Sequence, residues 1–440
     1  LFREQAPVRN YPNGTLAANV VGYMTYSDEL EESGKYPWTG GGGLEQYLNA
    51  ELSGVDGQEI FESSPYGRIP IGTSIVQEPT EGISYQLTLD LGLQYMQDQR
   101  LAAAVIKSGS ASGMAITMSV SGEVLAMSSY PTFDPNDLSN ATNEVLGNPI
   151  VMGPYEPGSV EKVLTLAALV DQGIITPKTH VIVPGSINSG DSTIYDAFRH
   201  DTLHLTAAGV LAQSSNIGTI LMSRQMSKET FASYLAAFGL GSATGIGLPG
   251  EEEGWIPDGT MTDQTRDNIA FGQGLTVTAL QEAAALAAIA NKGVYVSPRI
   301  IKSATTADGR PIEIEAPEVR QVISPEASEM VMSMMEAVVE YNSNSFDIAG
   351  FRTGGKSGTA EVVNPKCGCY RGGGYVISYA GIAPIEDPQL ITYVVMRYPA
   401  SGSTGTSSAA PVVRDIMTVA LPRYAISPST TQSPDLPIRW

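Results

Sequence analysis

After Tyr155-Glu156-Pro157-Gly158 the chain changes character. Pro157 and Gly158 break the preceding segment, and from Ser159 onward Val163, Leu166, Leu169 and Val170 return at a 3.6-residue period. Gly173 is placed to end that helix. The same period predicts helices over 44–53, 94–107, 207–212, 216–226, 228–238 and 277–291. One more runs to Val339, with Ser324 as N-cap and Pro325 at the first helical position. A closing helix is expected over 409–419. Residues 86–90 read as a strand ending in an Asp N-cap, Asp90. Alternation predicts strands over 113–120 and 123–129, joined as a hairpin by Ser121-Gly122, and strand-like runs over 348–363, 374–382 and 390–398.

Strands at both ends of a helical middle suggest an α+β fold, one antiparallel sheet flanked by a helical lobe. Residues 1–85 differ: they are rich in Gly, Pro, Tyr and Glu, with a glycine run over 40–43, and suggest an extended, β-rich module. Residues 424–440 are rich in Ser, Thr and Pro and form a tail, either ordered by contact or loose. The expected division is therefore 1–85, 86–423 and 424–440. A length of 440 residues, long for a single core, agrees with more than one domain.

Composition narrows the function classes. A formal net charge of −21 argues against nucleic acid as a partner and against a basic face for anionic lipid. No run of eighteen apolar residues occurs that could span a bilayer. The chain opens at Leu1-Phe2-Arg3 without an initiating Met or a signal-peptide pattern, and reads as a mature or trimmed ectodomain. The two cysteines, Cys367 and Cys369, exclude a disulfide framework and a four-ligand zinc site. An incidental pair and a small loop-closing disulfide both remain open.

Three stretches carry candidate chemistry. Lys162 lies three residues after Ser159, so its amine shares the helix face of the Ser159 hydroxyl. A serine needs a base to take its proton, and a lysine partly desolvated in a cleft can be neutral enough to serve. Gln213-Ser214-Ser215-Asn216 sits between two helical runs, where a loop can aim Ser214 and Asn216 into a cleft. Gly354-Gly355-Lys356-Ser357-Gly358-Thr359-Ala360 opens a strand. Alternation puts Ser357 and Thr359 on one face, suited to gripping a carboxylate, with Lys356 on the other, and Gly358 permits close backbone approach.

Ser-x-x-Lys, Ser-x-Asn and Lys-Ser-Gly, in that order, resemble the signature of penicillin-binding proteins and class A β-lactamases. The chain resembles the class B penicillin-binding proteins, the monofunctional D,D-transpeptidases of bacterial wall synthesis, over nearly its whole length. Tyr155 to Ser159 is similar to that family's Tyr-Glu-Pro-Gly-Ser entry to the active-site helix. Phe271-Gly272-Gln273-Gly274 is similar to its Phe-Gly-Gln-Gly segment, and Leu87 to Asp90, Gln94 and Gly122 to Asn136 to the opening of its transpeptidase domain. Arg9 to Gly14 with Val20-Val21-Gly22 resembles its N-terminal pedestal, which follows a membrane anchor absent from this chain. Two positions depart from the pattern. Glu161 stands where the family usually has an apolar residue, and Ser357 replaces the commoner Thr. Glu161 could pair with a neighbour, perturb Lys162 or face solvent.

The resemblance implies a penicillin-binding transpeptidase fold behind a dimerisation-type pedestal, and no metal or organic cofactor. It implies a substrate stem peptide ending in D-Ala-D-Ala, covalent inhibition by β-lactams, and a membrane glycosyltransferase with division or elongation proteins as partners. Its location would be the extracytoplasmic face of the bacterial membrane. Ser159 would attack, Lys162 take the serine proton, and Ser214 and Lys356 relay a proton to the leaving D-Ala. Asn216 would hold the acyl-side amide, and Ser357, Gly358 and Thr359 the substrate's terminal carboxylate. The backbone N–H groups of Ser159 and Thr359 would form an oxyanion hole. A β-lactamase or D,D-carboxypeptidase on the same fold, a β-lactam sensor and a non-catalytic division scaffold are the competing readings. The three histidines, His180, His200 and His204, fall in no motif, and a structural role near the cleft is expected for His200 and His204.

Overall fold

The computed structural model describes residues 8–28, 37–69, 75–342 and 346–440; the Leu1-Phe2-Arg3 start lies outside them. Five strands form the principal sheet: β1 (Ser112–Ser119), β2 (Val124–Tyr130), β3 (Gly354–Glu361), β4 (Tyr375–Ala383) and β5 (Leu390–Arg397). Their order is β3-β4-β5-β1-β2, antiparallel throughout, which leaves β3 at an edge. Within each strand, alternate residues enter two different cores. Met114, Ile116, Ile391, Tyr393 and Val395 face one side, and Ala115, Ile377, Val394 and Met396 the other. Both faces are therefore apolar and both are covered by helices.

The helices used below are α1 (Leu91–Ser108), α2 (Lys162–Asp171), α3 (Asn216–Ser223), α4 (Ala279–Ala290), α5 (Pro325–Tyr341) and α6 (Ala410–Arg423). Helices α1 and α6 cover one face of the sheet; α2, α4 and α5 belong to the lobe on the other. The expected caps operate: Asp90 accepts from the backbone of Gly92 and Leu93, and Ser324 from Ala327. Because Asp90 caps it directly, α1 starts three residues earlier than its apolar period suggests. Every residue of α2 before Asp171 is buried, as is all of α4, so the lobe has an inner layer surrounded on all sides by protein.

Two expectations change. The run over 348–363 is strand only from Gly354, since Ile348 to Phe351 closes a turn with Phe351 N donating to Ile348 O at 3.0 Å. The strand Ser84–Leu87 pairs outside the principal sheet, with Ile301–Thr305. The C-terminal residues are ordered by contact. Thr206 N donates to Ile438 O at 3.1 Å, and the Trp440 ring stacks on His180 at 4.2 Å and meets His204 edge-on at 4.8 Å. Near the other end, buried Asn19 uses all four of its amide sites. It donates to the carbonyls of Val145 and Gly147 and accepts from Ser129 and Thr132, locking the N-terminal segment onto β2 and the residues after it.

Candidate active site

Ser159 lies in a short 3-10 turn, Gly158–Val160, that leads into α2. The turn is seated by neighbours on both sides. Gly158 N donates to Gly272 O at 2.9 Å, and Tyr155 exchanges backbone hydrogen bonds with Val277, so the Phe271-Gly272-Gln273-Gly274 segment forms the floor under the serine. On the other side β3 presses close. A Cβ on Gly158, whose φ is 63°, would meet Thr359 O at 2.8 Å; one on Gly358 would meet Pro157 O at 2.9 Å and Ser378 Oγ at 2.3 Å. The space left by Gly358 is thus taken up by the turn that carries Ser159.

Lys162 is fully buried, on the first turn of α2. Its Nζ donates to Ser214 O and Asn216 Oδ1, both at 2.6 Å, and lies 3.3 Å from Ser214 Oγ. Among the described residues no hydrogen bond joins Ser159 Oγ to Lys162. Burial, followed by the charge of Lys356, holds the Lys162 amine well below the usual lysine range, and Asp196 acts in the opposite direction. A neutral amine has two N–H bonds and one lone pair. The two short bonds use both donors, which leaves the lone pair to accept a proton. Lys356, buried on β3, donates to Ser214 Oγ at 2.9 Å and Ser357 O at 2.8 Å, and burial pushes its amine down to about 7. The Ser214 hydroxyl is therefore held between two lysine nitrogens.

Ser214 adopts φ 55°, a left-handed conformation uncommon outside glycine. Ser215 caps α3 by accepting from Gly218 N, and Asn216 is the first residue of that helix. On β3, Ser357 is half-buried and Thr359 exposed, while Lys356, Gly358 and Ala360 point inward, the alternation expected. The structure thus gathers Lys162, Ser214, Asn216 and Lys356 around one hydroxyl, with Ser159 and the Ser357–Thr359 edge beside them.

Glu161 does not face solvent. It is fully buried, its carboxyl held well above the carboxylate range by burial and by the nearby Glu282 of α4. The cysteines form the loop-closing disulfide, Cys367–Cys369. Tyr370, next in the loop, donates to Glu156 Oε1 at 2.9 Å, the oxygen that also accepts from Gly274 N at 2.9 Å. Glu251 accepts from the backbone of Thr244 and Gly245. Sequence reading missed Asp196, Glu282, Tyr370 and Tyr393, the last sharing a hydrogen bond of 2.7 Å with Tyr155. No periodicity or motif marks them; each reaches the site through space. Among the described residues no group of His, Cys, Asp and Glu could hold a metal ion.

A serine turn, two buried lysines and a Ser-x-Asn turn at the edge of a five-stranded sheet define a class, and comparison agrees: the chain belongs to the class B penicillin-binding proteins. Residues 113–418 match the penicillin-binding protein transpeptidase domain and residues 2–87 the penicillin-binding protein dimerisation domain. The chain is 38% identical to penicillin-binding protein PbpB of Mycolicibacterium smegmatis, over 99% of this chain and 68% of that protein. It is 30% identical to the peptidoglycan D,D-transpeptidase FtsI of Escherichia coli, over 97% of this chain and 69% of that one. Penicillin-binding protein 3 of Mycobacterium tuberculosis complexed with ampicillin superposes with a TM-score of 0.86 at 35% identity, covering 98% of this chain and 93% of that one. The chain spans about two thirds of the length of these curated relatives, 64% for PbpB of M. tuberculosis.

Proposed function

We propose that the chain is a serine-type peptidoglycan D,D-transpeptidase whose nucleophile is Ser159. The observation that carries this reading is the setting of Lys162: buried, its amine held well below the usual lysine range, with two short hydrogen bonds from Nζ beside the Ser159 turn. Ser159 Oγ attacks the carbonyl of the penultimate D-Ala as Lys162 takes the hydroxyl proton. The C–N bond to the terminal D-Ala breaks, and that amine takes a proton through Ser214, with Lys356 behind it. The amine of a second stem peptide then attacks the ester, forming the crosslink amide and releasing Ser159. Ser357 and Thr359 bind the terminal carboxylate at the exposed edge of β3, Asn216 orients the acyl-side amide, and the N–H groups of Ser159 and Thr359 hold the oxyanion. A β-lactam enters as a mimic of D-Ala-D-Ala and leaves Ser159 acylated.

The reading divides the chain into a pedestal over 1–85, a catalytic domain over 86–423 and a tail over 424–440. It puts the catalytic domain on the extracytoplasmic face of a bacterial membrane, tethered through an N-terminal anchor and working beside a glycosyltransferase of division or elongation. Among the described residues no helix is long and apolar enough to cross a membrane. The test is intact and peptide mass spectrometry after incubation with penicillin. An adduct on Ser159 that disappears in Ser159→Ala, with an unchanged melting curve, supports the assignment; undiminished labelling of that variant defeats it.

A further inference from the structure

We propose that His200, acting through Asp196, is a positioning residue for the acylation of Ser159, holding the Ser214–Asn216 turn against Lys162. The inference rests on the acyl-enzyme reading above. Residues 195–200 lie in a stretch without helix or strand, yet two of their side chains are buried, His200 at 6% side-chain exposure and Asp196 at 0%. Asp196 Oδ2 accepts from Ser215 Oγ at 2.7 Å and lies 3.0 Å from His200 Nε2, while Oδ1 accepts from Ile217 N at 3.0 Å. The neighbouring Tyr195 carbonyl accepts from Asn216 Nδ2 at 3.2 Å. The loop therefore grips residues 215, 216 and 217 in succession, and Ser214, just before them, is the residue forced to φ 55°.

That grip is transmitted to the base. Among the described residues, the atoms that meet Lys162 Nζ all belong to this turn: the acceptors Ser214 O and Asn216 Oδ1, with Ser214 Oγ at 3.3 Å. Moving the turn moves the amine's partners. What holds the loop in its place is the pair at its two ends, since His200 reaches back four residues to Asp196. The other ring nitrogen, Nδ1, faces the Asp201 carbonyl, and the Phe198 ring packs alongside at 5.3 Å. A neutral imidazole has one N–H and can donate to only one of two oxygen acceptors. The ring lies between the Asp196 carboxylate and the Asp201 carbonyl and spans the loop from one end to the other. Removing it takes a hydrogen-bonding neighbour from the fully buried Asp196 side chain and empties the space that keeps the loop closed.

Asp196 also has an electrostatic reach. The groups acting on Lys162 are its own burial, Lys356 and Asp196, and of these only Asp196 favours the ammonium form. Two conservative changes should therefore act differently on the acid limb of acylation. Asp196→Asn makes Lys162 harder to protonate and moves the limb to lower pH. His200→Gln keeps an N–H donor for Asp196 and leaves the limb in place.

The experiment measures the second-order rate constant for acylation by a fluorescent penicillin from pH 5.5 to 9, using the full chain. His200→Ala should lose about tenfold or more, the scale expected when a base is displaced without being removed. His200→Gln should recover most of the plateau rate with the limb in its wild-type place, and Asp196→Asn should shift it downward. The proposal is overturned by a wild-type rate and profile in His200→Ala. It is overturned equally if Ala and Gln variants of His200 lose rate alike, in proportion to lost melting temperature, and Asp196→Asn leaves the limb fixed. Ser159→Ala, run alongside, separates the two readings. Label persisting there sinks the acyl-enzyme assignment, whereas label confined to Ser159 with identical rates in wild type and His200→Ala sinks only the role of His200.

Discussion

Glu282→Gln should make the protein more stable at alkaline pH and flatten the dependence of its stability on pH. Glu161 and Glu282 are both fully buried and act on each other where α2 and α4 meet, and among the described residues none of their four carboxyl oxygens has a hydrogen-bond partner. With no donor to stabilise an anion, burial pushes the Glu282 carboxyl up from 4.5 to about 8. In the unfolded chain the group ionises near its ordinary value; in the folded chain it keeps its proton until about 8. Its contribution is therefore complete below the unfolded value and is lost progressively as pH climbs to the folded one. A difference of about 3.5 pH units, at about 1.4 kcal/mol each, amounts to on the order of 5 kcal/mol across that window. That is comparable with the whole stability of many domains. Glutamine copies the shape of the protonated acid but cannot ionise. Urea unfolding followed by fluorescence at pH 5, 6, 7 and 8 should find the variant close to wild type at pH 5 and well ahead at pH 8. Glu161→Gln should move the same way, because Glu161 is pushed in the same direction, and the double variant should be flattest. Wild-type and Glu282→Gln midpoints running parallel from pH 5 to 8 would refute the reasoning.

Three further outcomes are expected. Lys162→Met should block penicillin acylation while Glu161→Leu stays within about tenfold, less than the loss usual for a general acid–base group, as rates of label incorporation will tell. Replacing Cys367 and Cys369 with Ser should leave acylation near wild type under oxidising conditions, whereas Tyr370→Phe, which cuts the bond to Glu156, should alter it more; the reverse order would give the disulfide the larger role. The penicilloyl adduct should be long-lived, because Glu161 is fully buried with its carboxyl held well above the carboxylate range and Glu251 is engaged with Thr244, leaving neither as a hydrolytic base. Intact mass followed after removal of excess penicillin measures this, and a half-life of seconds would favour a β-lactamase.

How far the sequence reached depended on whether a feature was local. The caps at Asp90 and Ser324, the Ser121-Gly122 hairpin and the alternation that sets Lys356 opposite Ser357 and Thr359 are decided within a few residues, and all were readable. So were the three motif stretches, whose side chains the fold then brings together. Glu161 was not, because its surroundings are made by Glu282 on another helix. Nor was the hold of Asp196 on Ser215 and Ile217, which crosses about twenty residues with no periodicity to reveal it. The strand Ser84–Leu87 has a clear β pattern, but a pattern does not say which sheet a strand will join. The tail's composition was compatible with disorder, and only the stacking of Trp440 against His180 and His204 decides the matter.

The order of strands in the principal sheet has a consequence for how the molecule is made. Strands β1 and β2 are synthesised early, yet β1 takes its second neighbour, β5, from near the other end of the chain; Thr117 and Thr392, bonded to each other, stand 275 positions apart. At about 5–20 residues per second, roughly 14 to 55 seconds separate them on a ribosome. During that interval the hairpin has two apolar faces and an unpaired edge, and the helical lobe is being made between the two parts of the sheet it must cover. Closing so long a loop is slow, and strands left open in this way invite pairing with other chains. Productive folding of this protein therefore waits for β5, and a nascent chain halted before Leu390 would retain the adhesive hairpin without the strand that buries it.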